Sequence, residues 1–358
     1  MSRRRGKTRE LALATNIYMK TRKAYSFDDV MLVPRYSKMN SRADANLSTS
    51  VAGVPLRIPI IAANMSSVCE DTMAIAMGKL GGLGIIHRMC SVERQLAMVK
   101  AVHDAGCAVG FSIGVGADWR DRMEACRAFA SIVCLDVAHG HHYRVAELLK
   151  EYFGTYREYP IIVGQIATAE AAGMFIQDIP EEFHRSVAFK ASIGGGSLCT
   201  TRIMTGYGIP TLQAISDINA AHGHAISIIG DGGIKNSGDI VKSLAAGADA
   251  VMLGSLLAGT DEAPGNIIKA KDLLYKVYRG SASFGDKALR GEETRNVEGD
   301  EALVPYKGSV TRVIAGLLDG VRSGFSYGGA ASIHELQTHA EFVEITAYGF
   351  AESLPHGK

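Results

Sequence analysis

Short apolar runs recur along this chain, each followed by a turn and then by a stretch with helical periodicity, and this repetition constrains the fold more than any other feature. The runs include 57-RIPIIAANM-65, 83-LGIIH-87, 107-CAVGFSIG-114, 132-IVCLDVA-138, 160-PIIVGQIA-167, 187-VAFKASIG-194, 226-ISIIGDGG-233 and 249-DAVMLGS-255. Between them lie amphipathic stretches such as 91-SVERQLAMVKAVHDAG-106 and 143-YRVAELLKEYFGTY-156. Near-continuous apolar strands alternating with helices suit a parallel sheet covered on both faces. About eight strands are the number that closes a (β/α)8 TIM barrel. A doubly wound open sheet is the rival. No G-x-G-x-x-G opens a helix with an acidic residue about 20 positions later, which counts against a dinucleotide-binding sheet.

The expected organisation is a basic tail over 1–24, carrying Arg3, Arg4, Arg5, Lys7 and Arg9, and one barrel domain over 25–358. The stretch 280–308 breaks the periodicity and is polar and Gly-rich, as an active-site lid would be. A formal net charge of +1 gives no case for a nucleic-acid partner. No apolar stretch reaches membrane-spanning length. The six cysteines form no C-x-x-C pair, so free thiols and a cytosolic location are expected.

In a barrel the strand C-termini carry the chemistry. Asn64, His87, Asp136, Gln165, Gly194, Asp231 and Gly254 stand at those ends and are expected to converge on one mouth. The segment 193-IGGGSLCTTR-202 places Cys199 in a glycine-rich loop beside hydroxyls and an arginine. It reads as a nucleophile loop, or as a structural turn with an incidental cysteine. In 231-DGG-233, Asp231 could accept from a ribose diol, or the segment is a tight turn. Gly254 and Ser255, at an expected helix start, suit phosphate binding or ordinary capping. The histidines of 134-CLDVAHGHH-142 lack spaced co-ligands for zinc. Glu298, in 297-VEG-299, could meet the edge of a bound base.

Together these segments resemble the family of IMP dehydrogenase and GMP reductase, from Phe27 to the C-terminus. The further markers are 27-FDDVMLVP-34, 239-DIVKSLAAGADAVMLGSLLAG-259, 304-VPYKG-308 and 320-GVRSG-324. The resemblance implies that Cys199 attacks C2 of a purine nucleotide, with Thr201 and Glu298 as its catalytic partners. It implies that Asp231 holds the ribose and that Ser197, Gly233, Gly254, Ser255 and Tyr278 surround the phosphate. Gly232 and Gly280 join this substrate-binding set. Asp136 and Ala138 are implied on the nicotinamide side. Gly194, Gly196 and Cys199 would offer carbonyls to a potassium ion, completed by Glu352 and Ser353 of a neighbour in a homotetramer.

No CBS-type insert follows the third barrel unit. No Arg-Tyr dipeptide lies between Gly280 and Gly308, and no tyrosine precedes Tyr306 there. The dehydrogenase branch uses such a pair to activate water. The resemblance is therefore nearest the reductase branch, which converts GMP to IMP and ammonia with NADPH. A CBS-less dehydrogenase, oxidising IMP to XMP with NAD, is the alternative, and the tail 341-EFVEITAYGFAESLPHG-357 resembles that branch. Ser66, Gln165, Gly195, Ser281 and Ala282 depart from both patterns.

Overall fold

The computed structural model describes residues 19–281, 283 and 297–355. The tail residues 3–9, Ala282 and the lid stretch 284–296 lie outside the described residues.

Eight parallel strands close into a barrel. They are β1 (Ile60–Ala62), β2 (Leu83–Ile86), β3 (Val109–Ile113), β4 (Ile132–Asp136), β5 (Ile161–Ile166), β6 (Val187–Ala191), β7 (Ser227–Asp231) and β8 (Ala250–Leu253). Closure is made by β8 pairing with β1, where Val251 faces Ile60. The open-sheet alternative is thereby excluded. All residues of β2, β3 and β6 are buried, because helices cover one face and the barrel interior the other.

The helices between the strands start where the sequence offers a cap. Ser91 accepts from the Arg94 N–H ahead of Val92–Asp104, and Thr168 accepts from Ala171 ahead of Ala169–Asp178. Asn236 accepts from Asp239 ahead of Ser237–Ala245, while the Asp239 carboxylate reaches back to the Lys235 N–H at 2.8 Å.

Two apolar cores result. The larger lies between strands and helices and takes in Phe111, Phe175, Phe189 and Phe325. The smaller fills the barrel interior, where Ile61, Leu83, Ile132, Ile162 and Ile229 meet Val51, Val54 and Leu56. Those last residues belong to an antiparallel hairpin, Thr49–Val51 with Val54–Leu56, which plugs the end opposite the strand C-termini. Val30–Leu32 and Phe342–Glu344 pair antiparallel and bring the two ends of the fold together.

A second sheet was not foreseen. Ile268–Ala270, Leu273–Arg279 and Glu301–Pro305 form three antiparallel strands, the last of them inside the stretch 280–308 that was expected to be irregular. Among the described residues no helix is long and apolar enough to cross a membrane.

Candidate active site

A cavity of about 540 Å3 opens at the strand C-termini. Asn64, Asp136, Gln165, Gly194, Asp231 and Gly254 all line it, as the strand-end argument required. His87 does not. It is buried, accepts at Nδ1 from the Met89 N–H at 3.1 Å, and turns Nε2 to Glu70 at 3.3 Å. The next residue, Arg88, enters the cavity instead. Successive side chains leaving a strand face opposite ways, so a one-residue offset exchanges the two roles.

The loop after β6 holds the nucleophile candidate. The Cys199 thiol donates to Thr201 Oγ1 at 3.1 Å, and Thr201 donates to Glu298 Oε2 at 2.7 Å. Glu298 comes from 97 positions further along the chain, yet its placement is fixed by backbone. The Thr200 N–H donates to the Glu298 carbonyl at 3.0 Å, and the Asp300 N–H to the Leu198 carbonyl at 2.9 Å. Cys199 and Gly299 form an antiparallel bridge. Cys199, Thr201 and Glu298 thus form a hydrogen-bonded chain in one wall of the cavity. Arg202, read from sequence as a neighbour of the thiol, has another task. It donates to the carbonyls of Ile193 at 3.0 Å and Ile209 at 2.6 Å and clamps the two ends of the loop.

Glycine is required where loops touch. Gly232 has φ +86°, and a Cβ there would stand 2.8 Å from the Gly196 nitrogen. The departure at Gly195 also has a physical reason. A Cβ would fall 2.5 Å from Thr211 Oγ1 and 2.7 Å from Ser192 Oγ, whose hydroxyls bond each other at 3.0 Å. The hydroxyl pair fills the room that a larger residue would take.

The cavity floor carries a charge cluster that sequence reasoning missed. Lys190 is only 2% exposed. Its ammonium lies 2.8 Å from Asp136 Oδ1 and 3.5 Å from Asp231 Oδ2. Burial pushes the lysine pKa down, but Asp136, Cys134 and Asp231 outweigh it and the net shift is upward. Burial likewise opposes ionisation of Asp136, and Lys190 and Arg88 reverse this to hold it below its ordinary value. Both groups are therefore charged at neutral pH. Gln165 Nε2 donates to Asp231 Oδ2 at 2.6 Å. With Oδ2 serving protein donors, Oδ1 is the oxygen left to face a ligand.

Two buried polar atoms of this cavity, Arg88 Nε and Gln165 Oε1, have no partner among the described residues. An unmet donor and an unmet acceptor in one pocket mark a place for a polar ligand. Asp136 and Ala138 line that same region, and Ser197, Gly232, Gly233, Ser255, Tyr278 and Gly280 line the rest. Burial raises the Tyr278 pKa, so its phenol remains a donor. The expected helix start at Gly254 and Ser255 is a single turn, in which the Leu257 and Ala258 N–H groups donate to the Gly254 carbonyl at 3.0 and 2.9 Å.

The cation ligands implied by resemblance are only partly brought together. Gly194, Gly196 and Cys199 share one loop, but the Gly196 carbonyl accepts the Cys199 N–H at 3.1 Å. Glu352 and Ser353 sit exposed at the end of the helix Ala347–Glu352 and do not line the cavity. Among the described residues, no three His, Cys, Asp or Glu side chains cluster as metal ligands.

A closed barrel whose mouth gathers a thiol, paired carboxylates and glycine-lined loops defines a (β/α)8 enzyme acting on a polar small molecule. The chain belongs to the IMP dehydrogenase / GMP reductase family, whose domain matches residues 24–356. It is 35% identical to an inosine-5'-monophosphate dehydrogenase of Cryptosporidium parvum, covering 93% of this chain and 95% of that one. It is 30% identical to a GMP reductase of Leishmania major, covering 92% and 96%. A crystal structure of a cysteine-to-alanine variant of Trypanosoma brucei GMP reductase, in complex with guanosine 5'-monophosphate, superposes with a TM-score of 0.87 at 28% identity. The match covers 94% of this chain and 98% of that one.

The Leishmania reductase aligns over 479 residues, more than a hundred beyond the length of this chain, whereas the Cryptosporidium dehydrogenase aligns over 389. Chain length alone therefore does not separate the relatives named reductase from those named dehydrogenase.

Proposed function

We propose that this family member is a GMP reductase that converts GMP to IMP and ammonia through a covalent bond between Cys199 and C2 of the purine. The observation that carries the reading is the composition of 280–308. It holds no Arg-Tyr pair, and no tyrosine before Tyr306, to activate water. Hydrolysis of a covalent adduct needs a positioned base. Release of ammonia instead needs an acid, and the Thr201–Glu298 contact at 2.7 Å provides one beside the thiol.

The relay runs from thiol to hydroxyl to carboxylate. Proton transfer along it leaves a Cys199 thiolate and a protonated Glu298. The thiolate bonds to C2. Glu298, through Thr201, returns the proton to the 2-amino group, which departs as ammonia and leaves a thioimidate. When bound, NADPH supplies the hydride that takes the amino group's place at C2. The carbon–sulfur bond then breaks, IMP leaves and the thiolate is restored.

Asp231 orients the ribose through its ligand-facing oxygen, while Ser197, Gly233, Gly254, Ser255 and Tyr278 receive the phosphate, with Gly232 and Gly280 beside the nucleotide. Asp136 and Ala138, next to the unpartnered Arg88 Nε, hold the nicotinamide half. The carbonyls of Gly194, Gly196 and Cys199 would hold potassium. Glu352 and Ser353 would reach such a site only from another copy, as a homotetramer provides.

A second reading, a dehydrogenase that oxidises IMP to XMP with NAD, is favoured by one observation. Relatives named dehydrogenases reach 35% identity, against 30% for those named reductases. Nicotinamide absorbance separates the two. GMP-dependent loss of NADPH is expected, and IMP-dependent formation of NADH without it would replace the reductase reading. Glu298→Gln is expected to lower the reductase rate by about 10²–10⁴-fold, the usual worth of a positioned acid, and a near-normal rate would remove Glu298 from the relay.

A further inference from the structure

The turn that follows β8 is short of positive charge for the ligand assigned to it. One turn aligns too few peptide dipoles to form the electropositive end of a helix. The N–H groups of Ser255 and Leu256 nevertheless meet no acceptor among the described residues, and Ser255 lines the cavity. Both are open donors, Ser255 at the mouth and Leu256 next to it in the chain.

Behind this turn stands Lys307, from the segment that follows the strand Glu301–Pro305. Its ammonium donates to the Ser255 carbonyl at 2.6 Å and to the Leu256 carbonyl at 3.0 Å. The Lys307 N–H also donates to the Gly259 carbonyl at 2.9 Å, and Thr260 and Gly308 form a parallel bridge. The ammonium is half-buried, burial alone lowers its pKa, and no carboxylate pairs with it among the described residues.

The Ser255 carbonyl and the Leu256 N–H belong to one trans peptide group and point opposite ways. A cation held on the oxygen polarises that group and strengthens the donor on its far side. We propose that Lys307 is a positioning residue of the phosphate site, which charges the Ser255–Leu256 turn from behind so that its outward N–H groups hold a nucleotide 5'-phosphate. This deepens the reading of Gly254 and Ser255 as phosphate contacts and rests on it. The same strap carries Glu298 and Gly299 against Cys199 at its other end, so one segment fastens both the phosphate turn and the thiol loop.

The test is calorimetric binding of GMP, guanosine, IMP and inosine to the full chain and to three variants. Lys307→Gln keeps an N–H donor for the carbonyls without the charge, Lys307→Met removes both, and Lys307→Arg keeps both. The quantity read is the ratio of nucleoside to nucleotide Kd, in which any loss of folded protein cancels. The ratio is expected to fall roughly tenfold or more in the Gln and Met variants, as for loss of a charge-assisted contact, and to stay near wild type in the Arg variant. An unchanged ratio in both neutral variants overturns the proposal. So does an equal loss of affinity for nucleoside and nucleotide, which would make Lys307 a support for the turn's shape alone. A wild-type chain that binds nucleoside and nucleotide alike would instead overturn the phosphate assignment itself.

Discussion

Lys190 shows how a single buried side chain can hold two functional groups at once. Its ammonium sits between Asp136, two strands earlier in the chain, and Asp231, on the strand that follows. Lys190→Met would leave two largely buried carboxylates with only Arg88, on the Asp136 side, to offset them. Breaking such a buried pair costs on the order of 3–5 kcal/mol. The double variant Lys190→Met/Asp136→Asn removes one of those charges and is expected to recover part of the loss, measured by denaturant unfolding. Equal stability of the single and double variants would contradict the role assigned to the ammonium. The cluster was illegible in the sequence for a physical reason. A lysine in the run VAFKASIG reads as an interruption until the carboxylates of two other strands are brought to it. The place of Cys199 in a loop at the mouth, by contrast, was legible, because three glycines before a cysteine have no use in a packed strand.

Asp249 makes a second prediction at this scale. It lies at the entrance to β8, pairs with no cation among the described residues, and accepts the Ile228 N–H at 2.8 Å. Burial pushes its pKa up to about 6 from 3.8. A carboxyl with a raised folded pKa adds stability that is complete below the unfolded pKa and is lost as pH rises through the folded one. The loss therefore falls between about pH 4 and pH 6.5. Asp249→Asn keeps an acceptor for Ile228 and lacks this titration. Its unfolding free energy relative to wild type should rise by on the order of 2–3 kcal/mol across that window. A difference that stays flat with pH would count against the burial argument.

At the scale of elements, the barrel separates its two ends by task. The hairpin Thr49–Val51/Val54–Leu56 seals the interior at the end away from the cavity. Leu56 is 4% exposed. Leu56→Ala should cost about 2–5 kcal/mol of stability, as buried leucine truncations do, with steady-state constants near wild type. Impaired turnover at full stability would contradict the separation. The βα units were legible because apolar runs and helical periodicity repeat eight times. The three-stranded sheet that reaches into 280–308 was not. Its strands alternate exposed and half-buried residues, as in Glu301–Pro305, and a period of two is weak beside the apolar barrel strands. His87 and Arg88 mark the remaining limit. A run that ends in 83-LGIIH-87 fixes which strand enters the mouth, but not which of two adjacent side chains turns into it.

For the whole molecule, the decisive property is that distant segments meet at one sulfur. The loop after β6 brings Cys199 and Thr201, the strap before Glu301–Pro305 brings Glu298, and the floor from β4, β6 and β7 brings Asp136, Lys190 and Asp231. Covalent chemistry at the purine ring is what the proposed function asks of this convergence. The most direct measurement is acid quench of the enzyme during turnover with purine nucleotide and its nicotinamide partner, followed by intact and peptide mass spectrometry. A nucleotide-derived mass increment on the peptide containing Cys199 is predicted, absent from Cys199→Ala. Full turnover by Cys199→Ala, or an adduct carried on any other residue, would contradict the account.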